Sequence, residues 1–259
     1  MSWIVSQSSQ QLLIFLCVLT RVSGLVMSSP IFGPRSAPMQ ARVFLVVALS
    51  LIITPMHWQT PVAEPGNLIQ LTVMLAREAA LGLALGLALT IFFSSMQLTG
   101  TVIGQMSGLQ LADVFDPTFD SNVPLFGQLL DLIAMTVFVL LGGHRKVLAA
   151  LLDTFQWRAP GGDDFPTSLV EALSQIVAES FVVGIRAGAP VMVSLLLAVL
   201  ILGLISRTLP QLNIFAIGFN VNALILLATL AFSLSTISAV VENSADSILS
   251  VVRDAIRDG

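Results

Sequence analysis

Apolar residues along the chain gather into six long blocks, at about residues 12–27, 43–53, 68–93, 125–141, 191–205 and 214–241. A helix that crosses a bilayer needs about 20 predominantly apolar residues, within a range of about 17 to 25. Block 68–93 meets that length and leaves room for tilt. Block 43–53 falls short unless it runs on through Thr54, Pro55 and Met56 to His57. The pattern therefore predicts about six helical segments, several of them marginal as straight spans.

Polar breaks separate the blocks. Residues 28–38 read SSPIFGPRSAP, where three prolines and a glycine forbid a continuous helix. Residues 59–65 carry two more prolines and a glutamate. The stretch WRAPGGDDFP at 157–166 reads as the most solvated loop, with Trp157 suited to anchor it at the membrane interface. After residue 241 the tail mixes apolar and charged residues at helical spacing. Val241, Ile248, Val251, Val252 and Ile256 can share one face. Because residues 242–259 have no basic bias, the reading is an amphipathic helix on a surface or against a partner. With no repeat of fixed period and no low-complexity tract, the chain reads as a single integral membrane domain, 1–259.

Composition strengthens the membrane reading. Of 259 residues, 56% are apolar and 10% charged, and the mean hydropathy is +0.93. A soluble domain carries about 25% charged residues, and a disordered chain would be far less hydrophobic. The net charge of −4 and the lack of an extended basic cluster argue against a nucleic-acid partner. Cys17, the single cysteine, excludes an internal disulfide and any cysteine-based metal cluster, and reads as a small hydrophobe. No Lys or Arg precedes Arg21, so the basic start of a signal peptide is missing and 12–27 reads as a retained helix.

The few charges near apolar blocks are candidates for function. Arg21, the pair Arg77 and Glu78, Asp131, Arg186 and Arg207 lie within or beside them. An ionised side chain at mid-bilayer costs roughly 2.5–3.5 kcal/mol on insertion scales, so each should meet a subunit interface, a cavity or another charge. Arg77 and Glu78 are neighbours and point about 100° apart on a helix, so at least one needs a partner elsewhere. For Glu78 and Asp131, structural pairing and lining of a polar pathway stand as equal readings. Arg207, close to Pro210 at a block end, fits snorkelling to the interface.

The segment 96–128 is the unusual one. Gly100, Gly104 and Gly108 form GxxxGxxxG, a smooth helix stripe that lets another backbone approach closely. Ordinary helix packing explains such a stripe on its own. The residues after it are less ordinary: Asp113, Asp116 and Asp120 lie in a proline-interrupted stretch between two apolar helices. Irregular backbone at membrane depth is tolerated only where protein or a water-filled cavity shelters it.

Catalytic patterns are sparse. His57 and His144 have no second ligand at metal spacing, and neither GxSxG nor HExxH occurs. The adjacent acids in GGDD at 161–164 sit in a hydrophilic loop and do not make a membrane-embedded acid dyad. No catalytic, cofactor-binding or metal site is expected. An ion-coupled secondary transporter using Glu78 or Asp131 is a rival reading, weakened by the missing internal repeat.

Several motifs then line up in one order. RVSGLVMSSPIFG, with Arg21, Gly24, Pro30, Phe32 and Gly33, is followed by Pro38 and Arg42, and then by REAALGLALG with Glu78, Gly82 and Gly86. DPTFDSNVPLFGQLLDLIAMTVFVLLGGH carries Asp116, Pro117, Asn122, Pro124, Asp131, Gly143 and His144. GAPVMVSLLLAVLILGLISRTLPQLNIFAIGF carries Pro190, Gly203, Arg207, Pro210, Gln211, Asn213, Phe215 and Gly218. Over about residues 12–240 this resembles the FliR family of flagellar biosynthetic proteins, whose plan the injectisome counterparts in virulence secretion share. One departure comes after GF, where Asn220 and Asn222 stand in place of the family's frequent proline and lysine.

The resemblance implies an all-α membrane protein with broken helices and a central pore-facing loop, assembled into a helical multi-subunit gate. It implies a bacterial inner-membrane location in the flagellar basal body, and export of unfolded flagellar proteins. The implied partners are FliP-type and FliQ-type subunits, an FlhB-type subunit, exported proteins and membrane lipid, with no cofactor. Carried onto this chain, the pore plug is 108–124, with Gly108, Leu109, Leu111, Val114, Phe115, Asp116, Pro117, Asn122 and Pro124 as its residues. An injectisome gate subunit is the alternative within the same plan.

Overall fold

A computed structural model describes residues 2–33, 38–108, 124–162, 166–208 and 214–258, with backbone alone for 2–8 and 214–216. The described chain is helical and holds no strand. Helices α1 (Ser2–Ser28), α2 (Met39–Ile53), α3 (Leu68–Ser107), α4 (Leu125–Leu140), α5 (Gly143–Trp157), α6 (Leu169–Thr208) and α7 (Ile214–Asp258) follow in order. Short 3-10 turns at Pro30–Phe32 and Thr54–His57 follow α1 and α2. Five helices are long and apolar enough to cross a membrane: α1 from Ser9, α2 extended to His57, α3, α6, and α7 from Ile217. The α4–α5 pair, bent by 70°, passes the same test of length and composition only when taken together, as a broken span or a re-entrant loop.

Proline sets most of the boundaries. Ser29 precedes Pro30 and takes extended backbone (φ −75°, ψ 132°), which stops α1. Pro38 and Pro124 stand extended immediately before α2 and α4. Between α4 and α5 the chain turns at Gly142, whose φ of +75° lies in the left-handed region where only glycine is comfortable.

Four helices outrun by ten residues or more the apolar blocks that announce them, α1 by starting at Ser2. Helix α3 continues past residue 93 to Ser107, through a run rich in Ser, Thr, Gln and Gly. Its hydroxyls cost little there because they bond their own helix: Thr99 donates to the Ser95 carbonyl (2.9 Å), Thr101 to that of Gln97 (2.9 Å) and Ser107 to that of Gly104 (2.7 Å). Helix α6 begins 22 residues before the block at 191, and α7 carries on through the tail without a break. At about 1.5 Å per residue, the 40-residue helices α3 and α6 are about 60 Å long. That is twice the hydrocarbon thickness of about 30 Å.

The chain divides into two compact units. The first comprises Met1–Phe92, Gly142–Val177 and Asp246–Gly259. Here α1 lies against the first half of α3 with almost no space between backbones. A Cβ on Gly82 would strike the Arg21 carbonyl, and one on Gly24 would stand 2.8 Å from the Ala79 carbonyl. Helix α5 adds an apolar face of Val147, Ala150, Leu151 and Phe155. The tail is buried against this unit through Ile248, Val252 and Ile256. Of the two settings expected for this amphipathic helix, a surface or a partner, the tail takes the first, with its apolar face on its own chain. Ion pairs Lys146–Asp246 (2.7 Å) and Asp153–Arg253 (2.5 Å) flank the seam, each worth about 0–1 kcal/mol at such exposure.

The second unit comprises Phe93–Leu141 and Ala178–Ala245. The second half of α3 packs on α4, with Phe93 and Phe138 edge to face at 5.5 Å. It packs on α6 at Gly184 and Gly188, where an added Cβ would crowd Thr99. Helix α7 reaches α3 where the Asn222 amide nitrogen lies 3.5 Å from the Ser107 carbonyl.

Candidate functional site

Two arrangements concentrate the singled-out residues, one in each unit. The first is a buried polar knot. Arg21 on α1 is 1% exposed and Glu78 on α3 is 3% exposed. Arg21 Nε donates to Glu78 Oε2 at 2.6 Å. Its Nη1 donates to the Thr154 carbonyl (3.1 Å) and to the Arg158 carbonyl (3.0 Å). The other carboxylate oxygen of Glu78 accepts the Gly161 N–H at 2.8 Å, and the Arg21 guanidinium stacks 4.2 Å from the Phe155 ring. Charge, hydrogen bonds and cation–π contact together replace the water both ions lost.

Local sequence makes this possible. Gly24 and Gly82 let α1 and α3 close up so that two short-range partners meet across them. Helix α5 ends at Trp157, which leaves the Arg158 carbonyl for Arg21, while the Thr154 carbonyl accepts both the Arg158 N–H (2.9 Å) and Arg21. The chain then turns at Gly161 with φ +77°, presenting its N–H to Glu78. The first part of the loop expected to be the most solvated is thus folded onto a buried ion pair, because that pair needs its backbone groups. A cavity of about 140 Å³ adjoins the knot, lined by Arg21, Arg77, Glu78, Trp157, Arg158 and Gly162 among others. It has room for a few waters at about 30 Å³ each. Arg158 also donates to the Ile256 carbonyl (3.0 Å) and Ser168 to that of Ala255 (2.8 Å), so two carbonyls in the last turn of α7 are satisfied here.

The second arrangement is the pair of stems from which segment 108–124 departs. Gly100 on α3 meets α4 backbone to backbone: a Cβ there would strike the Phe126 carbonyl. Opposite it, a Cβ on Gly127 would lie 2.9 Å from the Gln97 carbonyl and 2.8 Å from the Thr101 hydroxyl. Gly104 is buried on the same helix. The chain leaves α3 at Gly108, with φ +76° and its N–H on the Gln105 carbonyl (3.1 Å). It re-enters helix after Pro124. Leu109, Leu111, Val114, Phe115, Asp116, Pro117 and Asn122 lie outside the described residues.

The other singled-out residues are spread. Arg77 is half-buried at the cavity, and Asp131 is half-buried on α4 with a partner of its own. Arg186 and Arg207 are exposed on α6. Pro210, Gln211 and Asn213 lie outside the described residues; Phe215 falls in the first turn of α7, and Gly218 is buried there. Among the described residues, no group of three His, Cys, Asp or Glu side chains could hold a metal ion.

Thr154, Arg158 and Gly161 were not singled out from sequence. Thr154 was legible as the polar member of a helical stripe with Val147, Ala150 and Leu151. Nothing local marks the Arg158 carbonyl or the Gly161 N–H, since backbone groups carry no sequence signal.

The family described as bacterial export proteins, family 1, matches residues 12–248. Flagellar biosynthetic protein FliR of Escherichia coli is 27% identical over 245 residues, which cover 93% of this chain and 91% of the relative. The FliR protein of Bacillus subtilis is 30% identical over 233 residues, covering 88% and 89%. That of Caulobacter vibrioides is 28% identical over 224 residues, covering 86% and 89%.

Proposed function

The chain belongs to the bacterial export proteins, family 1, as a FliR-type export-gate subunit in the bacterial inner membrane, and we propose that it closes the gate with its segment 108–124. Its role is to form a passage for exported flagellar proteins rather than to catalyse a reaction. FliP-type, FliQ-type and FlhB-type subunits are its partners in that assembly.

The observation that carries this reading is the pair of clamped stems. Gly100 and Gly127 lock α3 to α4 just before the chain leaves at Gly108 and just after it returns at Pro124. A loop held at both ends can fill a passage without being drawn along with the cargo. Its acids and its proline-broken backbone belong in a sheltered, water-accessible lumen. Leu109, Leu111, Val114 and Phe115 supply the apolar seal, while Asp116 and its neighbouring acids face water.

Deletion of residues 111–121 tests this. The shortened chain should still co-purify with the FliP-type and FliQ-type subunits, and cells carrying it should leak small solutes across the inner membrane. Unchanged permeability in correctly assembled mutant gates would overturn the plug assignment.

A further inference from the structure

The last turns of α7 and the buried ion pair meet at one residue. Arg158 follows the end of α5 with extended backbone (φ −126°, ψ 96°), so helix geometry does not fix where its carbonyl points. That carbonyl accepts Arg21 Nη1 at 3.0 Å. The side chain of the same residue donates to the Ile256 carbonyl at 3.0 Å. The tail therefore holds, by its side chain, the residue whose carbonyl stands in for water at the buried arginine. A change at one end of Arg158 is felt at the other.

Further contacts of the tail converge on the end of α5 and the loop after it. Arg253 lies over the Trp157 ring at 5.6 Å and pairs with Asp153. Ser168 donates to the Ala255 carbonyl at 2.8 Å. Trp157 and Arg158 also wall the cavity of about 140 Å³ that adjoins Arg21 and Glu78. Two of its walls are thus fastened by the tail. The tail itself is seated chiefly by the buried side chains of Ile248, Val252 and Ile256, and terminal segments held by so few side chains open at lower free energy than a core.

We propose that the C-terminal segment 246–258 is a strap that keeps water from the Arg21–Glu78 pair, and that its release opens the adjoining cavity onto that pair. While the strap is seated, Trp157 and Arg158 stand in place and both ions stay buried. With the strap lifted, the loop loses these anchors and the Arg158 carbonyl turns from Arg21. Water entering the cavity then takes that carbonyl's place, since a buried ion keeps no lost partner unreplaced. Helices α1 and α3 remain together, because their contact at Gly24 and Gly82 does not involve the tail. The strap belongs to the first unit and stands apart from the plug assignment.

Cys17 is a built-in reporter. It is the single cysteine, it is fully buried, and it lies one helical turn before Arg21 on the same side of α1. The full chain, purified with the subunits that accompany it, is treated with a water-soluble methanethiosulfonate, and modification of Cys17 is followed by mass spectrometry. In a variant carrying Val252→Asp and Ile256→Asp the rate should rise at least about tenfold, in proportion to the open population, and limited proteolysis should cut within 246–258. Arg158→Leu, which keeps the carbonyl and removes only the side-chain anchor, should raise the rate by a smaller factor. Gly100→Ala, a disturbance in the second unit, should leave it unchanged. Cys17 as protected as in the natural chain, in a double variant whose tail is cut, would overturn the proposal. A tail that resists the protease despite two carboxylates on its seated face would do the same, and so would an equal rise in Gly100→Ala, which would mean general loosening. If the double variant loses its helical circular dichroism, Arg158→Leu decides alone, and an unaltered rate there refutes the strap.

Discussion

Replacing Glu78 by glutamine removes one charge from the buried knot and leaves almost every atom in place. Arg21 then keeps its full charge at 1% exposure, with carbonyls and a ring but no anion. The Gly161 N–H can still find the remaining amide oxygen, or the amide can face Arg21 with that oxygen, but it cannot serve both well. Breaking a buried pair from one side costs about 3–5 kcal/mol, because the surviving ion is uncompensated. For a chain of this length each kcal/mol lowers the unfolding midpoint by about 2–4 °C, so the expected loss is on the order of 10 °C in detergent. Arg21→Gln should cost a comparable amount by stranding the carboxylate. The double variant, which buries two neutral amides able to bond each other, should lose clearly less than the two singles combined. Thermal unfolding of the four proteins, followed by helical circular dichroism, measures the cycle. Additive losses would refute the reasoning, since they would mean that the two ions act independently despite their 2.6 Å contact.

The packing sets further expected outcomes. Gly82→Ala should weaken the fold by at least about 1–3 kcal/mol, the range for overpacking, since the obstacle is the rigid Arg21 carbonyl. Gly203→Ala, with nothing within 4 Å of the new methyl group, should leave the unfolding midpoint unchanged. Ile256→Ala, at a site with 0% exposure, should cost about 2–5 kcal/mol, whereas Asp254→Ala on the exposed side of the same turn should be near neutral; limited proteolysis of the C-terminal segment reports both. Gly100→Ala should loosen the α3–α4 clamp, and increased small-solute leakage with subunit co-purification retained is the expected reading.

How far the sequence carried depends on which physical signal each feature leaves. Proline is explicit, so the breaks after Ser28 and before residues 39 and 125 were legible to within a residue or two. Apolar runs located the spans but not their ends. The polar half of α3 looks like a departure from helix until its hydroxyls are seen to bond carbonyls of the same helix, at Thr99, Thr101 and Ser107. Helix α5 leaves no continuous apolar run in the sequence, because its apolar face occupies only one side.

The charges show the same limit from the other direction. That Glu78 could not pair with its neighbour Arg77 follows from helical geometry alone, and so does the need for a partner on another segment. Which partner does not follow, because Arg21 lies 57 residues away in sequence. Only the glycines bring the two together: Gly24 and Gly82 permit a backbone approach so close that a buried arginine on one helix is within 2.6 Å of a buried glutamate on the next. The glycine stripe and the rare charge, read separately from sequence as packing and as chemistry, are here one device. The approach places the ions, and the ions, once desolvated, hold the approach.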